Sequence, residues 1–238
     1  MVWTERTEML IGEDGLRKLA DARVSVVGVG GVGAYAAEML VRAGLGHIVL
    51  FDCDEVGESN INRQLVALHS TVGRLKTDVL RDRLMDINPQ LDIVVVGEYV
   101  NEDYLRDGCP LDGSDVVIDA IDTLSPKVAL IQHCLSKGIH LVSSMGSGAK
   151  LDATAVRLAD ISETFQCPLA HMLRKRLHRL GITEGFDAVF SAEKPRKDSM
   201  RLEESRNKKS QVGTISYIPA VFGCVCAQAA VRYITGIC

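Results

Sequence analysis

The sequence predicts an α/β fold: a Rossmann-like, mostly parallel sheet with flanking helices, extended by a smaller antiparallel and helical C-terminal part. Three observations predict it. Short runs rich in β-branched residues alternate with segments of helical spacing. One such run, "VSVV", passes directly into the glycine-rich turn "GVGGVG" and then into a helix-like stretch. After Gly148 this regular alternation breaks down.

Val24 to Val27 is an unbroken apolar run of the kind a strand buried on both faces requires. A helix is expected from about Val32 to Arg42, with Gly44 as its C-terminal stop. "HIVLFD", His47 to Asp52, reads as the second strand, and Leu75 to Ile87 as a helix closed by Asn88-Pro89. "DIVVV" and "DVVIDAI" read as strands ending near Val96 and Ile121. Ser125 to Ser136 reads as a helix with Pro126 tolerated in its first turn, and "IHLVSS" as a strand. Beyond Gly148, "TAVRLADI" suggests an antiparallel strand and "DAVFS" a short one. "LAHMLRKRLHRLG" places Leu169, Met172, Leu173, Leu177 and Leu180 on one helical stripe. Residues 191–211 are charged and poor in large apolar residues, as in a mobile loop, and Pro219 to Thr235 reads as a final buried helix.

The bulk numbers bound the class. A chain of 238 residues fits one large domain. The start, "MVWTERTEML", has no apolar signal region. The stretch from Tyr217 to Val231 looks too short, and too broken by Pro219, Gly223 and Gln228, to span a bilayer, so a cytoplasmic protein is expected. Seven cysteines without a C-x-x-C pair argue for reduced thiols and against a zinc ribbon. Cys224 and Cys226 read as small buried apolar residues. Net charge is −4, yet residues 174–209 carry a local +5. Such a patch is either a solvated face or a contact for a polyanion.

The glycine turn carries the first chemistry. Gly28 permits the tight turn, Gly30 a close approach of backbone to phosphate, and Gly33 the packing of helix on strand, with Gly31 between them. The helix that follows offers its N-terminal N–H groups to phosphates. Asp52, 19 residues after Gly33, ends the second strand, where a carboxylate accepts ribose hydroxyls. NAD and ATP fit these features equally. The next segment, "DCDEVGESNINRQL", shifts the balance: Asn60, Asn62, Arg63 and Gln64 suit a charged triphosphate better than a dinucleotide. Lys76 opens a helix with its ammonium expected free to reach phosphate. "DAIDTLSPK" puts Asp119 and Asp122 at the end of a strand, the rim where open α/β sheets bind ligands, and makes Asp122 a candidate Mg²⁺ ligand.

"GVGGVG", the D-x-D at Asp52 and Asp54, "SNINRQ", Lys76 in "VGRLK" and "DAID" together resemble the adenylating enzymes of the ubiquitin-activating superfamily. "RTEMLIG", Arg6 to Gly12, resembles the N-terminal arginine segment of that superfamily. The resemblance implies ATP and Mg²⁺ as cofactors, and admits a monovalent cation. It implies that Asp52 binds ribose, that Asn60, Arg6 and Lys76 reach the phosphates, and that Asp122 holds Mg²⁺. Arg63 is implied as an arginine finger supplied to the partner subunit's ATP, hence a homodimer. Residues 1–150 then form the ATP-binding core, and 151–238 an extension of the same domain with a mobile basic loop at 191–211.

The remaining motifs narrow the branch. The paired C-x-x-C zinc site usual in sulfur-carrier adenylating enzymes is missing. "INPQ", "CPLAHMLRKRLHRLGI" and "DAVFSAEKP" are similar to the tRNA threonylcarbamoyladenosine dehydratases, a branch of the same superfamily. That likeness implies ATP-dependent cyclisation of the threonylcarbamoyl side chain on a tRNA adenosine beside the anticodon. It makes Arg174, Lys175, Arg176 and Arg179 candidate tRNA contacts, and admits a sulfur-relay protein as a further partner. The implied chemistry needs no enzyme thiol, because an activated threonine carboxylate can be attacked by the carbamoyl group of the same molecule. The stretch "SQVGTISY" around Gly213 indeed has no cysteine. The alternative is an adenylating enzyme acting on the C-terminus of a small ubiquitin-like sulfur carrier. A dinucleotide-dependent oxidoreductase or a non-catalytic nucleotide-binding module is the third reading.

Overall fold

The computed structural model describes residues 2–106, 108–202 and 210–237. Strands β1 (Arg23–Val27), β2 (His47–Phe51), β3 (Asp92–Val96), β4 (Val116–Asp119), β5 (His140–Ser144), β6 (Val156–Asp160) and β7 (Asp187–Ser191) form one sheet in the order β3-β2-β1-β4-β5-β7-β6. All neighbours pair parallel except β6 with β7. The strands from residues 23 to 144 match the expected positions, and the expected antiparallel strand is β6. "DVVIDAI" stops as a strand at Asp119 rather than Ile121, because the chain turns there over the glycine loop, with Ala120 N bonded to Val27 O.

The central strands are apolar throughout because helices cover both faces. Val24, Val26, Ile48 and Leu50 pack with α2 (Gly33–Ala43), α3 (Lys76–Ile87) and α7 (Tyr217–Thr235). Val27, Val49, Phe51 and Val117 pack on the other face with α5 (Leu124–Lys137) and α6 (Pro168–His178). Gly44 caps α2 at φ 110°, and the backbone N–H of Gly44 bonds back to Leu40 and Val41. A helix not expected from the sequence, α1 (Glu5–Asp21), precedes the sheet. Gly12 and Gly15 dilute its helical pattern, and the helix is broken at Gly12, whose φ of 76° and ψ of 166° favour glycine. The short α4 (Glu102–Leu105) is likewise unexpected, and Asn101 caps it.

Three expectations are corrected. On α6 the buried residues are Ala170, Leu173 and Leu177, whereas Met172 and Leu180 are exposed, so the apolar stripe is narrower than expected. The segment 191–211 is not simply a loop. β8 (Met200–Leu202) and β9 (Ser210–Val212) pair as an antiparallel ribbon, and residues 203–209 of the expected mobile loop lie outside the described residues. Finally, α7 runs unbroken for 19 residues with a mean hydropathy of 1.4, long and apolar enough to cross a membrane by length and composition. Pro219 does not break it, because it sits in the first turn, where its missing N–H costs nothing. Gly223 is a packing glycine: a Cβ there would lie 2.8 Å from Tyr35 Cβ and 3.0 Å from Ala36 N of α2. Half of the helix's most apolar window is buried in the fold.

Candidate nucleotide-binding rim

The sheet order changes direction at β1, whose neighbours β2 and β4 lead the chain to opposite sides. In open α/β sheets the crevice at the carboxyl ends of such strands is where ligands bind. The glycine turn occupies it. Gly28 has φ 90°, and its N–H bonds to Phe51 O at 2.8 Å. A Cβ on Gly28 would stand 3.0 Å from Ala120 O, and one on Gly33 would overlap Gly28 O outright. Both are therefore fixed by packing. Around Gly30, by contrast, the nearest atom to an added Cβ is Gln64 Nε2 at 3.6 Å, whereas Gly31 is packed as closely as Gly28, with Pro219 Cβ at 3.1 Å.

Asp52, just after β2, accepts backbone N–H bonds from Val29 (2.8 Å) and Asp54 (2.9 Å). Burial pushes its carboxyl up, and Lys76 nearby and those two bonds do not fully offset it. The expected free ammonium of Lys76 is not free. Its buried side chain is ion-paired with the exposed carboxylate of Asp54 at 2.7 Å. A buried ammonium needs a counter-charge, and the D-x-D spacing supplies one. Asp54 is thus the holder of Lys76.

The "SNINRQ" segment folds as tight turns over the glycine loop. Asn60 Oδ1 accepts from Gly57 N at 3.1 Å, and Asn60 O accepts from the N–H groups of Arg63 and Gln64. Arg63 lays its backbone O 3.6 Å from an added Gly31 Cβ, and its Nη1 donates to Ser59 O and Asn62 Oδ1, each at 2.8 Å. Asn62 Nδ2 donates to Thr214 O at 2.9 Å and so ties this segment to the stretch after β9. Between them lies a cavity of about 490 Å³ lined by Ser59, Asn62, Arg63, Asp198, Ser199 and Thr214 among others. Gln64, whose Nε2 lies beside Gly30, has a buried Oε1 with no hydrogen-bond partner among the described residues.

Asp122 lies exposed between β4 and α5. Asp119 does not line the rim: it faces inward, fully buried, and binds Lys127 Nζ at 2.6 Å and Ser143 Oγ at 2.7 Å. Sequence reasoning missed this core triad, although a lysine among the apolar residues Val128, Leu130 and Ile131 is a readable sign of one. It also missed Lys150, buried after β5, whose Nζ donates to Glu193 O at 2.9 Å. Burial lowers its pKa.

Arg6 is not brought to this rim by its own chain. Thr4 packs against Gly44, at the end of α2 opposite the glycine turn, and Arg6 stands exposed just beyond it on α1. On α6, Lys175, Arg176 and Arg179 are exposed, and Arg176 donates to Ser125 Oγ at 2.8 Å in the first turn of α5. Arg174 is engaged within the fold, donating to Thr164 O and Thr164 Oγ1.

Comparison with known proteins agrees with this geometry. The ThiF family model matches residues 4–238. The tRNA threonylcarbamoyladenosine dehydratase of Bacillus subtilis is 40% identical over 92% of this chain and 89% of its own length. The Escherichia coli enzyme of the same name is 38% identical over 97% and 93%. The crystal structure of the E. coli dehydratase in complex with ATP superimposes with a TM-score of 0.89 at 36% identity, covering 98% of this chain and 93% of that one. The match to the molybdopterin-synthase adenylyltransferase of Salmonella typhimurium, at 32% identity, covers only 65% of this chain. A glycine turn, an aspartate-held lysine and a fold shared over the full length all lead to one conclusion: this chain belongs to the ThiF family.

Proposed function

We propose that this chain is an ATP-dependent enzyme that dehydrates threonylcarbamoyladenosine in tRNA by adenylating the threonine carboxylate. The observation that carries the reading is the extent of the likeness. Dehydratases match through residues 151–238 as well as the core, whereas the adenylyltransferase match covers 65% of the chain. The carrier-protein alternative has no comparable support.

The rim suits ATP. Asp52 accepts the ribose hydroxyls, Gly30 admits the phosphates to the backbone, and the buried Gln64 Oε1 accepts a hydrogen bond from the ligand. Lys76 exchanges Asp54 for a phosphate oxygen; the exposure of Asp54 makes that exchange inexpensive. Asn62 and Arg63 line the neighbouring cavity, and Asn60 holds the turn that carries them. Asp122 is a carboxylate of the kind that holds Mg²⁺ together with phosphate oxygens. Mg²⁺, when bound, supplies neutralisation of phosphate charge. A carboxylate oxygen of the substrate attacks the α-phosphorus and pyrophosphate leaves. The carbamoyl group then attacks the acyl carbon, and AMP departs with the former carboxylate oxygen. The nucleoside has lost one water, and high effective molarity drives the second step.

The placement of Arg6 at the far end of α2 supports a homodimer in which Arg6 serves the partner subunit's phosphates. The seating of Arg63 against Gly31 of its own glycine turn favours Arg63 acting on the site of its own chain, the reverse of the assignment from resemblance. Mixing Arg6→Ala with Lys76→Ala chains then restores activity that neither has alone, whereas Arg63→Ala with Lys76→Ala does not.

The test of function is pyrophosphate and AMP release with ATP and Mg²⁺, with and without threonylcarbamoyl-modified tRNA, reading the nucleoside by mass. Turnover requiring that tRNA, with loss of one water, is expected. Turnover indifferent to tRNA would move the carrier-protein reading first. Reversing charge at Lys175 and Arg179 lowers the salt slope of tRNA binding by about one for each lost phosphate contact.

A further inference from the structure

At the end of the sheet opposite the glycine turn, three side chains of unlike chemistry converge. A 3-10 turn, Pro110–Gly113, leads into the N-terminal end of β4, pinned there by Asp115 N bonding to Arg23 O at 2.9 Å. The Asp112 N–H bonds back to Cys109 O at 3.0 Å, which draws the two residues together across the turn. His133 approaches from the last turns of α5. Its Nε2 is 2.7 Å from Asp112 Oδ1 and 4.0 Å from Cys109 Sγ. Cys109 is buried and His133 is partly buried, its side chain 9% exposed, whereas the Asp112 side chain keeps 30% of its surface. Lys137 holds the other oxygen of Asp112, with Nζ 3.4 Å from Oδ2. One ligand atom from each of Cys109, Asp112 and His133 lies within 4.8 Å of the other two.

We propose that Cys109, Asp112 and His133 form a Zn²⁺-class transition-metal site, separate from the nucleotide rim, that clips the turn before β4 to the end of α5. The donor set argues for this class of ion. Thiolate and imidazole suit Zn²⁺ and its near neighbours, and a single carboxylate is too few oxygens for Mg²⁺ or Ca²⁺. Zinc–ligand bonds of about 2.0–2.3 Å in a tetrahedron put donor atoms roughly 3.3–3.7 Å apart. The pair at 2.7 Å must open and the pair at 4.0 Å must close, each by well under the freedom of one side-chain torsion. Three protein ligands leave the fourth position to water on the exposed Asp112 side. Lys137 then orients the ligand carboxylate through its second oxygen, as outer-sphere partners do. Binding releases the Cys109 proton to solvent.

The test titrates metal-free full-length protein with Co²⁺ and then Zn²⁺. Wild type is expected to bind one ion per chain, to show a thiolate-to-cobalt charge-transfer band that Zn²⁺ bleaches, and to melt at higher temperature with Zn²⁺. Cys109→Ser abolishes the band, and His133→Ala and Asp112→Asn weaken binding by at least about 100-fold. Cys224→Ser, at an exposed cysteine, keeps both. Asp112→Asn guards against misfolding of the buried variants, since its site is partly open to solvent. A hydrogen-bonded cap without metal would give no band in the wild type, and that result, or a band that survives Cys109→Ser, would overturn the proposal. Pyrophosphate release at saturating Mg²⁺ and ATP is unaffected by Asp112→Asn, which separates this result from failure of the adenylation reading.

Discussion

Two lysine–aspartate pairs sit within the same nucleotide-binding half of the molecule and differ only in their surroundings. Lys127 and Asp119 meet at 2.6 Å with both side chains at 0% exposure. Lys76 and Asp54 meet at 2.7 Å, but Asp54 keeps 67% of its surface. The first pair is locked. Neither charge can find water, and Asp119 also accepts from Ser143 Oγ and Ile121 N. The second is exchangeable, because an exposed carboxylate released by its lysine is rehydrated at once. Similar distances thus serve opposite ends: one pair fixes the floor of the rim, and the other, in the proposed function, stores an ammonium for an incoming anion.

Breaking the locked pair gives the largest effect. Lys127→Ala leaves a buried carboxylate without its cation and destabilises by about 3–5 kcal/mol, a large part of the roughly 5–15 kcal/mol of a domain this size. Urea unfolding reads it as a fall in midpoint. Lys127→Met combined with Asp119→Asn recovers most of the loss, because Asn Oδ1 still accepts from Ile121 N, its Nδ2 donates to Ser143 Oγ instead, and no charge is buried. If the single and double variants unfold alike, the pair is not the locked element inferred from its burial.

The exchangeable pair gives the next effect, and it appears in rate rather than stability. Lys76→Met keeps the buried stem and leaves Asp54 solvated, so the urea midpoint moves little. Adenylation, followed by pyrophosphate release, falls by about 10²–10³, the usual cost of losing one charged donor to a reacting centre. A variant as unstable as Lys127→Ala would show that Lys76 is structural.

Glu38 lies between these extremes and sharpens the comparison. Its side chain on α2 is buried, and both guanidiniums that hold it are about half exposed: Arg42 at 2.8 Å and Arg83 of α3 at 2.5 Å. Burial alone would raise its carboxyl, but the bonds from Arg83 and Arg42 outweigh burial and hold it below the usual glutamate range. A depressed carboxyl contributes stability that is whole above its unfolded pKa and is lost as pH falls through the folded value. Wild type therefore loses stability to acid in that window, and Glu38→Gln loses less there, having less to lose. Thermal melts from neutral pH into the acid range measure the difference.

The pattern of legibility follows from the same physics. The strands and the glycine turn were readable because burial on both faces writes continuous apolar runs, and because the positive φ of Gly28 and the overlap at Gly33 select glycine. The place of Asp52 beside the glycine turn was readable from its position at the end of β2. Which partner a charge takes was not. Sequence spacing put Asp119 and Asp122 together at the rim, yet a strand alternates its side chains, and Asp119 turned inward to Lys127. Lys76 was expected free because Asp54, 22 residues away in sequence, comes near only once Lys76 N bonds to Asp54 O. Residues 191–211 looked like a loop because three-residue strands such as β8 and β9 are too short to write a period.

The smallest effect belongs to a pair with both partners at the surface. Arg81 and Asp78, one turn apart on α3, meet at 3.1 Å with side chains 43% and 36% exposed. Water competes for both charges, and holding two long side chains together costs entropy, so the pair contributes between zero and about 1 kcal/mol. Arg81→Ala is expected to shift the urea midpoint within experimental scatter, and added salt to leave that small difference smaller still. Because Arg81 also reaches Asp82 at 3.4 Å, Asp78→Asn is the cleaner variant for the same comparison. If Asp78→Asn costs as much as Glu38→Gln at neutral pH, burial does not rank these pairs, and the distinction between a locked and an exchangeable lysine falls with it.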